Sequence, residues 1–350
     1  MTKIFIDNYN ISKKNKPFFV AEISCNHGGS LITAKRLIKA AKQSGADAVK
    51  FQLFSPDDMV LSSKNDEFVI KDKNSPWHNK TLYDLYSKAF TPKKWFNELF
   101  SYAKKNKIIC FSSIFNQDSV EFLEQLNTPA YKISSFEINH LPLIDKVSKT
   151  LKPIILSTGV ADYKEIEAAI KVCKKNNNNK IIILKCSSEY PLSLKECNLN
   201  NIKYLEDRFK CKVGFSDHTS DLTAPIAAIY KGAVLIEKHF KMSDKDKVLD
   251  SKFSITPGEF SKLVKFGKNY VDTFGKKIFK TSQSVNFNKK FKRSIYISKN
   301  IYKGDRVSEK NIKIIRSNLG LHPKYYYQIL NKSFKKKFSA GTPLKKTYIY

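Results

Sequence analysis

The chain has 350 residues, 63 of them Lys or Arg against 32 Asp or Glu, and a formal net charge of +31. With 41% hydrophobic residues it is too apolar for a disordered polycation, and its 12 Gly and 12 Pro are too few for a fibrous protein. The length allows one large domain with a small one, or two of middling size. The charge leaves three classes of partner open: nucleic acid, an anionic membrane surface or acidic small molecules.

Two features indicate the compartment. The six cysteines form no CxxC pair and no spacing typical of metal ligands. The N-terminal segment includes Asp7 and has no apolar core, so we expect no signal peptide, and no apolar run reaches the ~18 residues that cross a bilayer. A cytoplasmic protein with six free thiols is therefore expected.

Short apolar runs alternate with amphipathic segments through residues 1–275. After the first run a helical pattern follows, with Ser30 as N-cap and Gly45 as C-cap. Each of the eight runs is continuously apolar, as expected for strands buried on both faces. This alternation predicts a (β/α)8 TIM barrel, with a doubly wound parallel sheet as the alternative, although no GxGxxG follows the first run. The predicted strands are FFVAEI, AVKFQL, IICFSS, AYKISS, PIILSTG, IIILKCSS, KVGFSD and VLIEKHF.

The end of the chain differs in composition. Residues 276–350 hold 20 Lys and Arg but two acids, a net charge of +18. The stretch 276–290 is polar, basic and poorly periodic, which indicates a linker between domains 1–275 and 291–350. Two short apolar runs, SIYIS and IKIIRS, and several turn signals predict that the last domain is small and β-rich.

Polar side chains end every predicted barrel strand. Barrel enzymes place their reactive groups at these C-terminal ends. Any one polar strand end is explained by nearby water, but lysines and hydroxyls at eight converging ends favour a site for an anionic substrate, because they donate to phosphate or carboxylate oxygens. The residues concerned are Glu22; Lys50 and Gln52; Ser112 and Ser113; Lys132, Ser134 and Ser135; Ser157 and Thr158; Lys185, Ser187 and Ser188; Ser216, Asp217 and His218; and Glu237, Lys238 and His239.

His218 and His239 end strands seven and eight, which are neighbours in a closed barrel. They could share a divalent ion and leave positions open for water and substrate, although satisfied core histidines remain the alternative. His27 either joins the site or braces the loop after strand one.

Two kinds of covalent catalysis also stay open at this point. Lys132 or Lys185 could form a Schiff base if desolvated, although the surrounding hydroxyls favour a phosphate clamp. Cys25 lies near His27 in the sequence, but no third group orients the pair as a nucleophile requires.

Recognisable motifs follow one another along the chain: VAEISCNHGGS, GADAVKFQLFSPDDM, YKISSFE, ILSTG, KCSSEYP, GFSDHT and IEKHF in the barrel, and KGDRVSEKNI, RSNLGLHPKY and AGTPL after it. In this order they resemble the sialic acid synthase family, whose members condense phosphoenolpyruvate with an N-acetylated sugar to form nonulosonic acids. The last 60 residues resemble that family's small antifreeze-like (SAF) domain. Within the family, WHNKTLYDLYSKAFTP and VLDSKFSITPGEF are most similar to pseudaminic acid synthases.

The resemblance implies roles for individual residues. Glu22 is implied as the catalytic carboxylate, beside the reacting carbons and a divalent ion (Mn²⁺, Mg²⁺ or Co²⁺) held by His218 and His239. It implies a phosphoenolpyruvate site formed by Lys50, Gln52, Ser113, Lys132, Ser135, Ser157 and Ser216. It implies a sugar site formed by Ser188, Tyr190, Asp250 and Arg316. Arg316 would reach the barrel of a partner subunit, so the resemblance also implies a domain-swapped homodimer.

The implied reaction joins phosphoenolpyruvate to 2,4-diacetamido-2,4,6-trideoxy-L-altrose and releases phosphate by C–O cleavage. Synthesis of N-acetylneuraminic or legionaminic acid is the alternative within the family. Binding of nucleic acid or a membrane surface by the basic C-terminal region is the alternative of another class. That region shows no RNA-binding aromatic motif, basic amphipathic helix or zinc spacing, so we expect its lysines to form a solvated face.

Overall fold

The computed structural model describes residues 2–71, 78–273 and 283–350. The chain divides into two compact units, Met1–Gly275 and Lys276–Tyr350. Of the predicted linker 276–290, the first seven residues lie outside the described residues.

The first unit begins with an antiparallel hairpin and continues into eight parallel strands that close into a barrel. The hairpin strands are β1 (Ile4–Ile6) and β2 (Tyr9–Ile11). The barrel strands are β3 (Phe18–Glu22), β4 (Ala48–Leu53), β5 (Ile109–Ile114), β6 (Tyr131–Ile133), β7 (Ile154–Ser157), β8 (Ile181–Lys185), β9 (Lys212–Asp217) and β10 (Leu235–His239). Pairing of β10 with β3 closes the barrel, which confirms the predicted fold and makes the doubly wound alternative wrong.

Helices follow the strands around the barrel. The first one begins as predicted, because the Ser30 hydroxyl accepts a hydrogen bond from the Thr33 amide at 3.2 Å. It ends at the C-cap Ser44, and Gly45 follows with a φ of +86°, a conformation that glycine adopts without strain. The helices are α1 (Leu31–Gln43), α2 (Pro56–Met59), α3 (Leu82–Ala89), α4 (Phe96–Lys105), α5 (Asp118–Gln125), α6 (Leu141–Ser148), α7 (Tyr163–Lys175), α8 (Asn201–Phe209), α9 (Thr223–Tyr230) and α10 (Pro257–Thr273).

Alternate residues of most barrel strands belong to two separate hydrophobic clusters. In β3, Phe18 and Val20 belong to the cluster inside the barrel, whereas Phe19 and Ala21 pack outward against the helices. This is the two-residue alternation of side chains along a strand. The inner cluster also contains Ile4, Ile6 and Ile11, so the hairpin covers the end of the barrel at which the strands begin.

The second unit is small and has its own apolar core. Its elements are α11 (Gln283–Asn288), β11 (Arg293–Ile297), β12 (Ile312–Arg316) and α12 (Tyr326–Ile329). The two strands pair antiparallel and coincide with the predicted runs SIYIS and IKIIRS. Buried Ile295, Ile312 and Phe334 lie in its core, so this unit buries its own apolar surface.

Two further observations concern the whole described chain. All six cysteines are free, as predicted, and all six are buried. Among the helices of the described residues, none combines the length and apolar character needed to cross a membrane.

Substitution of Gly214 by alanine tests how tightly the barrel is packed around this position. A Cβ atom at this position would lie 2.6 Å from the Leu235 carbonyl oxygen and 2.7 Å from the Leu184 side chain. Overpacking of this kind costs roughly 1–3 kcal/mol, so Gly214→Ala should lower the melting temperature. Gly258→Ala is the control, because a Cβ there meets nothing within 4 Å. Equal melting temperatures for the two variants would contradict this packing.

Candidate active site

The inward alternation brings many of the predicted reactive side chains together at the C-terminal end of the barrel. His239 is in register with Glu22, and Glu22 with Lys50. On the next strands Gln52 is in register with Ser113. Neighbouring strands therefore present these groups side by side.

Glu22 and Lys50 form a buried ion pair. The Lys50 Nζ lies 2.5 Å from Glu22 Oε2 and donates to Ser113 Oγ at 2.9 Å. The Gln52 amide donates to the other Glu22 oxygen at 3.0 Å. Two of the predicted phosphoenolpyruvate-binding residues thus contact the predicted catalytic carboxylate, and a third, Ser113, contacts Lys50.

A second buried ion pair lies beside the first. Lys132 Nζ is 3.0 Å from Glu237 Oε1, and the Ser216 hydroxyl donates to the same oxygen at 2.9 Å. Glu237 Oε2 is also 3.8 Å from Lys50. The sequence analysis placed Glu237 among the strand-end residues but gave it no role. Its inward position in the strand was the signal that could have identified it.

The two lysines and two carboxylates compensate one another's charge. Burial acts to lower the pKa of Lys50, but Glu22 and Glu237 outweigh it and raise that pKa. Burial acts to raise the pKa of Glu237, but Lys132 and Lys50 outweigh it and lower that pKa. An incoming anion must therefore compete with these carboxylates for the lysines.

His218 and His239 face each other, with ring centroids 5.6 Å apart. His218 Nδ1 lies 2.8 Å from the Ser187 carbonyl oxygen. Since a carbonyl only accepts, Nδ1 carries the proton and Nε2 keeps its lone pair. Burial and the neighbouring His239 lower the pKa of His218 to about 3, so its ring is neutral at pH 7.

His239 has a carboxylate partner. Its Nδ1 lies 3.3 Å from Asp250 Oδ2. Burial acts to raise the pKa of Asp250, but the hydrogen bond and charge of His239 outweigh it and lower that pKa. Asp250, predicted to bind the sugar, is thus in contact with a predicted metal histidine.

This donor set fits a divalent metal ion. Each Nδ1 lies beside an oxygen, which is the usual way in which metal-binding histidines are oriented with Nε2 free. Within the described part of the chain, no third His, Cys, Asp or Glu completes a metal cluster with them. An ion held here would therefore keep positions open for other ligands.

The hydroxyls predicted to bind phosphoenolpyruvate continue around the barrel. Ser157, the last residue of β7, is buried. Ser135 Oγ accepts from the Gly159 amide at 3.0 Å and lies 3.2 Å from Cys186 Sγ. A Cβ on Gly159 would lie 2.3 Å from Ser188 Oγ and 2.8 Å from Ser135 Oγ. Ser188, predicted to bind the sugar, thus borders the predicted phosphoenolpyruvate site.

An aromatic wall lies beside the histidines. The Tyr190 ring is 4.3 Å from the ring of His218, and the Phe253 ring is 4.8 Å from that of His239. Tyr190 is 45% exposed, so it forms part of the rim of the cavity. Phe253 was missed by the sequence analysis, since an isolated aromatic in a loop carries no signal. Arg316 belongs to the second unit, where it is exposed at the end of β12.

The other candidates have structural roles. His27 Nδ1 accepts from the Gly29 amide at 3.1 Å, and its Nε2 lies 3.0 Å from Thr91 Oγ1, so this histidine braces its loop. Burial lowers its pKa to about 4. Burial also raises the pKa of Cys25, which makes this thiol a poor nucleophile.

The expectation that all polar strand ends converge on the anion site was wrong for the outward positions. In β8, Ile182 and Leu184 belong to the inner cluster, so Lys185 lies on the outer face. Its ammonium donates to the Cys186 carbonyl oxygen and to Ser187 Oγ. Ser112, Asp217 and Lys238 occupy outward positions in the same way.

Glu137 is a further carboxyl that the sequence analysis missed. It lies in the turn Ser135–Glu137 after β6, and its buried Oε2 has no hydrogen-bond partner among the described residues. Burial raises its pKa to about 7, although the charge of Lys132 opposes this. A carboxyl four residues beyond the strand that bears Lys132 was the available signal.

The variant Glu237→Gln tests whether the buried carboxylates compete with an anionic ligand for Lys50 and Lys132. Removing one partner of a buried ion pair typically costs about 3–5 kcal/mol, so the melting temperature should fall. Inorganic phosphate should then raise it more than in the wild type, because one competing carboxylate is gone. Glu206→Gln, which breaks the 2.5 Å pair with Lys13, is the control with an unchanged phosphate response. Equal phosphate-dependent shifts in Glu237→Gln and wild type would contradict the competition.

Glu137 should make stability depend on pH. Its pKa rises from 4.5 in the unfolded chain to about 7, so its contribution is complete below pH 4.5 and is lost as the pH rises through 7. Relative to wild type, Glu137→Gln should therefore gain roughly 1–3 kcal/mol between pH 5 and 8. Thermal denaturation at both pH values measures this, with the exposed Glu67→Gln as control. The same pH dependence of stability in Glu137→Gln and wild type would refute the raised pKa of Glu137.

Comparison with known proteins identifies the family. The NeuB family model matches residues 37–279, and a SAF domain model matches residues 292–347, which confirms the predicted second domain. The chain is 40% identical over 340 residues to a pseudaminic acid synthase of Campylobacter jejuni, covering 97% of this chain and 98% of that protein. It is 43% identical over 329 residues to the pseudaminic acid synthase of Helicobacter pylori, covering 94% and 96%.

A solved structure agrees. The crystal structure of N-acetylneuraminic acid (sialic acid) synthetase from Leptospira borgpetersenii matches with a TM-score of 0.72 at 28% identity, covering 82% of this chain and 95% of that one. The family model alone spans more than half of the sequence. The chain therefore belongs to the NeuB family.

Proposed function

We propose that this protein is a pseudaminic acid synthase. It condenses phosphoenolpyruvate with 2,4-diacetamido-2,4,6-trideoxy-L-altrose and releases phosphate. The observation that carries the proposal is one cavity in which two buried lysines lie beside a pair of oriented histidines, in a chain 40–43% identical to pseudaminic acid synthases.

Phosphoenolpyruvate binds at the lysines. Its phosphate takes the place of the carboxylates on Lys50 and Lys132, whose ammonium groups neutralise the negative charge. Gln52 and the hydroxyls Ser113, Ser135, Ser157 and Ser216 donate directional hydrogen bonds to the same ligand. Exchange of one anion for another keeps the buried lysines compensated throughout.

The histidine pair holds a divalent ion, which can be Mn²⁺, Mg²⁺ or Co²⁺. When bound, this ion supplies Lewis-acid polarisation of the sugar aldehyde. Ser187 fixes His218, and Asp250 fixes His239, so both rings keep the tautomer that a ligand needs.

Glu22 moves the proton in the proposed mechanism. Carbon 3 of phosphoenolpyruvate attacks the aldehyde carbon, and the double-bond electrons leave cationic character at carbon 2. Water adds there and gives its proton to Glu22, which Gln52 holds in place. Glu22 passes this proton to the alkoxide that the attack leaves on the aldehyde oxygen. The phosphate then leaves with the C–O bonding electrons and takes the proton of the carbon 2 hydroxyl, which becomes the ketone. The sum is one phosphoenolpyruvate, one sugar and one water converted to one nonulosonic acid and one phosphate.

The sugar lies towards the rim, against Tyr190 and Phe253 and near Ser188 and Asp250. Arg316 from a partner subunit contacts its acetamido group, which makes the active form a domain-swapped homodimer. We propose a cytoplasmic location, where phosphoenolpyruvate is available to such an enzyme.

Synthesis of N-acetylneuraminic acid, or of legionaminic acid, is the second candidate. The likeness to the Leptospira N-acetylneuraminic acid synthetase supports it. It uses the same lysines and histidines and differs only in the sugar.

Phosphate release from phosphoenolpyruvate with each of three sugars tests the proposal. We expect the highest kcat/KM with the altrose derivative, over the precursors of N-acetylneuraminic and legionaminic acid, and loss of turnover with a chelator. In ¹⁸O-labelled water the label should enter the carbon 2 oxygen of the product. Preference for another sugar would reassign the substrate, and label in the released phosphate would rule out C–O cleavage.

A further inference from the structure

A second charged pair lies outside the cavity, between the barrel and its helices. Lys238 and Asp217 are both 0% exposed, and the Lys238 Nζ is 2.6 Å from Asp217 Oδ2. Both residues occupy outward positions of their strands, so neither faces the substrates. The proposed chemistry therefore leaves the pair without a use.

The pair adjoins both histidines in the sequence and in space. Asp217 directly precedes His218, and Lys238 directly precedes His239. The Asp217 carboxylate also accepts from the Thr219 amide at 2.9 Å and from the Thr219 hydroxyl at 3.1 Å. Lys238 donates to the Thr219 carbonyl oxygen as well. The residues on both sides of His218 are thus tied to the residue before His239.

Stability alone gives a weak reason for such a pair. Moving two charges out of water costs several kcal/mol, and well-packed apolar residues commonly stabilise a core as well or better. The pair adds directional hydrogen bonds. The Lys238 ammonium has two acceptors and the Asp217 carboxylate has three donors, and together these bonds fix the ends of β9 and β10 in one arrangement. Apolar side chains at these positions would permit the strand ends to shift.

We propose that Lys238 and Asp217 are positioning residues that set the distance between the two histidines, and hence the geometry of the divalent-ion site. This inference rests on the metal of the proposed function. Side chains alternate along a strand, so a constraint on the outward residue also fixes the backbone that carries the inward histidine. Outer-shell groups around metal sites typically change affinity by about 10–100-fold when they are removed.

The double variant Asp217→Asn/Lys238→Met tests the proposal. It removes both charges together, leaves no unpaired buried charge, and keeps an acceptor for the Thr219 amide. We expect Co²⁺ affinity, followed by the visible absorption of the bound ion, to fall about 10–100-fold. The KM for phosphoenolpyruvate should stay near the wild-type value at saturating metal, because Lys50 and Lys132 are untouched. Lys13→Met/Glu206→Gln is the matched control, since it removes a different ion pair.

Thr219→Val provides a second variant if the double variant does not fold. It removes the hydroxyl's hydrogen bonds to Asp217 and to the Asp221 carbonyl oxygen but keeps the ion pair and the Thr219 amide bond. It should therefore weaken Co²⁺ binding less than the double variant does. Imidazole ¹⁵N spectra of the metal-free variants should show altered His218 and His239 signals, which a change in global stability alone would not produce.

Wild-type Co²⁺ affinity and unchanged imidazole signals in folded variants would overturn the positioning role. Failure of the wild type to bind Co²⁺ would overturn it as well, together with the proposed metal. Phosphate release with the sugar panel decides the proposed function separately, so the two failures are distinguishable.

Discussion

The candidate site depends on the mutual compensation of two lysines and two carboxylates inside the barrel. Lys50 and Lys132 are 2% and 3% exposed. Burying their ammonium groups without a partner would strongly lower the free energy of unfolding. Glu22 and Glu237 supply the missing charge at 2.5 and 3.0 Å. The same arrangement creates a place that an anionic ligand can enter, because the carboxylates already occupy the positions where ligand oxygens would bind. Both folding and anion binding thus require that a negative charge lies beside each of the two buried lysines.

The alternation of side chains along the barrel strands makes the charged site residues recognisable in the sequence. Strands buried on both faces are readable as continuously apolar runs, and a polar residue at their end stands out against them. The barrel, the small second domain and the residues of the cavity were therefore predictable from local patterns. Glu22, Lys50, Lys132 and the two histidines all lie at inward positions, as an active site at the strand ends requires.

Contacts between distant parts of the chain were not predictable. The partnership of Lys132 with Glu237 joins residues 105 positions apart, and no local pattern records it. Asp250 reaches His239 from a loop, so the resemblance to a family suggested a sugar contact but gave no sign of the histidine. The outward orientation of Lys185 and Lys238 follows from counting inward and outward positions, but only once the strand boundaries are known to a single residue. Burial raises the pKa of Glu137, and burial is a property of the assembled barrel.

The hairpin β1–β2 determines from which side ligands enter and leave the barrel. It covers the end of the barrel where the strands begin, and Phe18, Leu184 and Leu235 fill the interior above it. Ligands therefore pass through the opposite mouth, where Tyr190 stands at the rim and the lysines lie below. Under the proposed function, phosphoenolpyruvate binds at the lysines, deeper than the sugar at the rim, and therefore enters first. By the same proposal, the phosphate lies below the newly formed acid and leaves after it, so both substrates would be bound before either product is released.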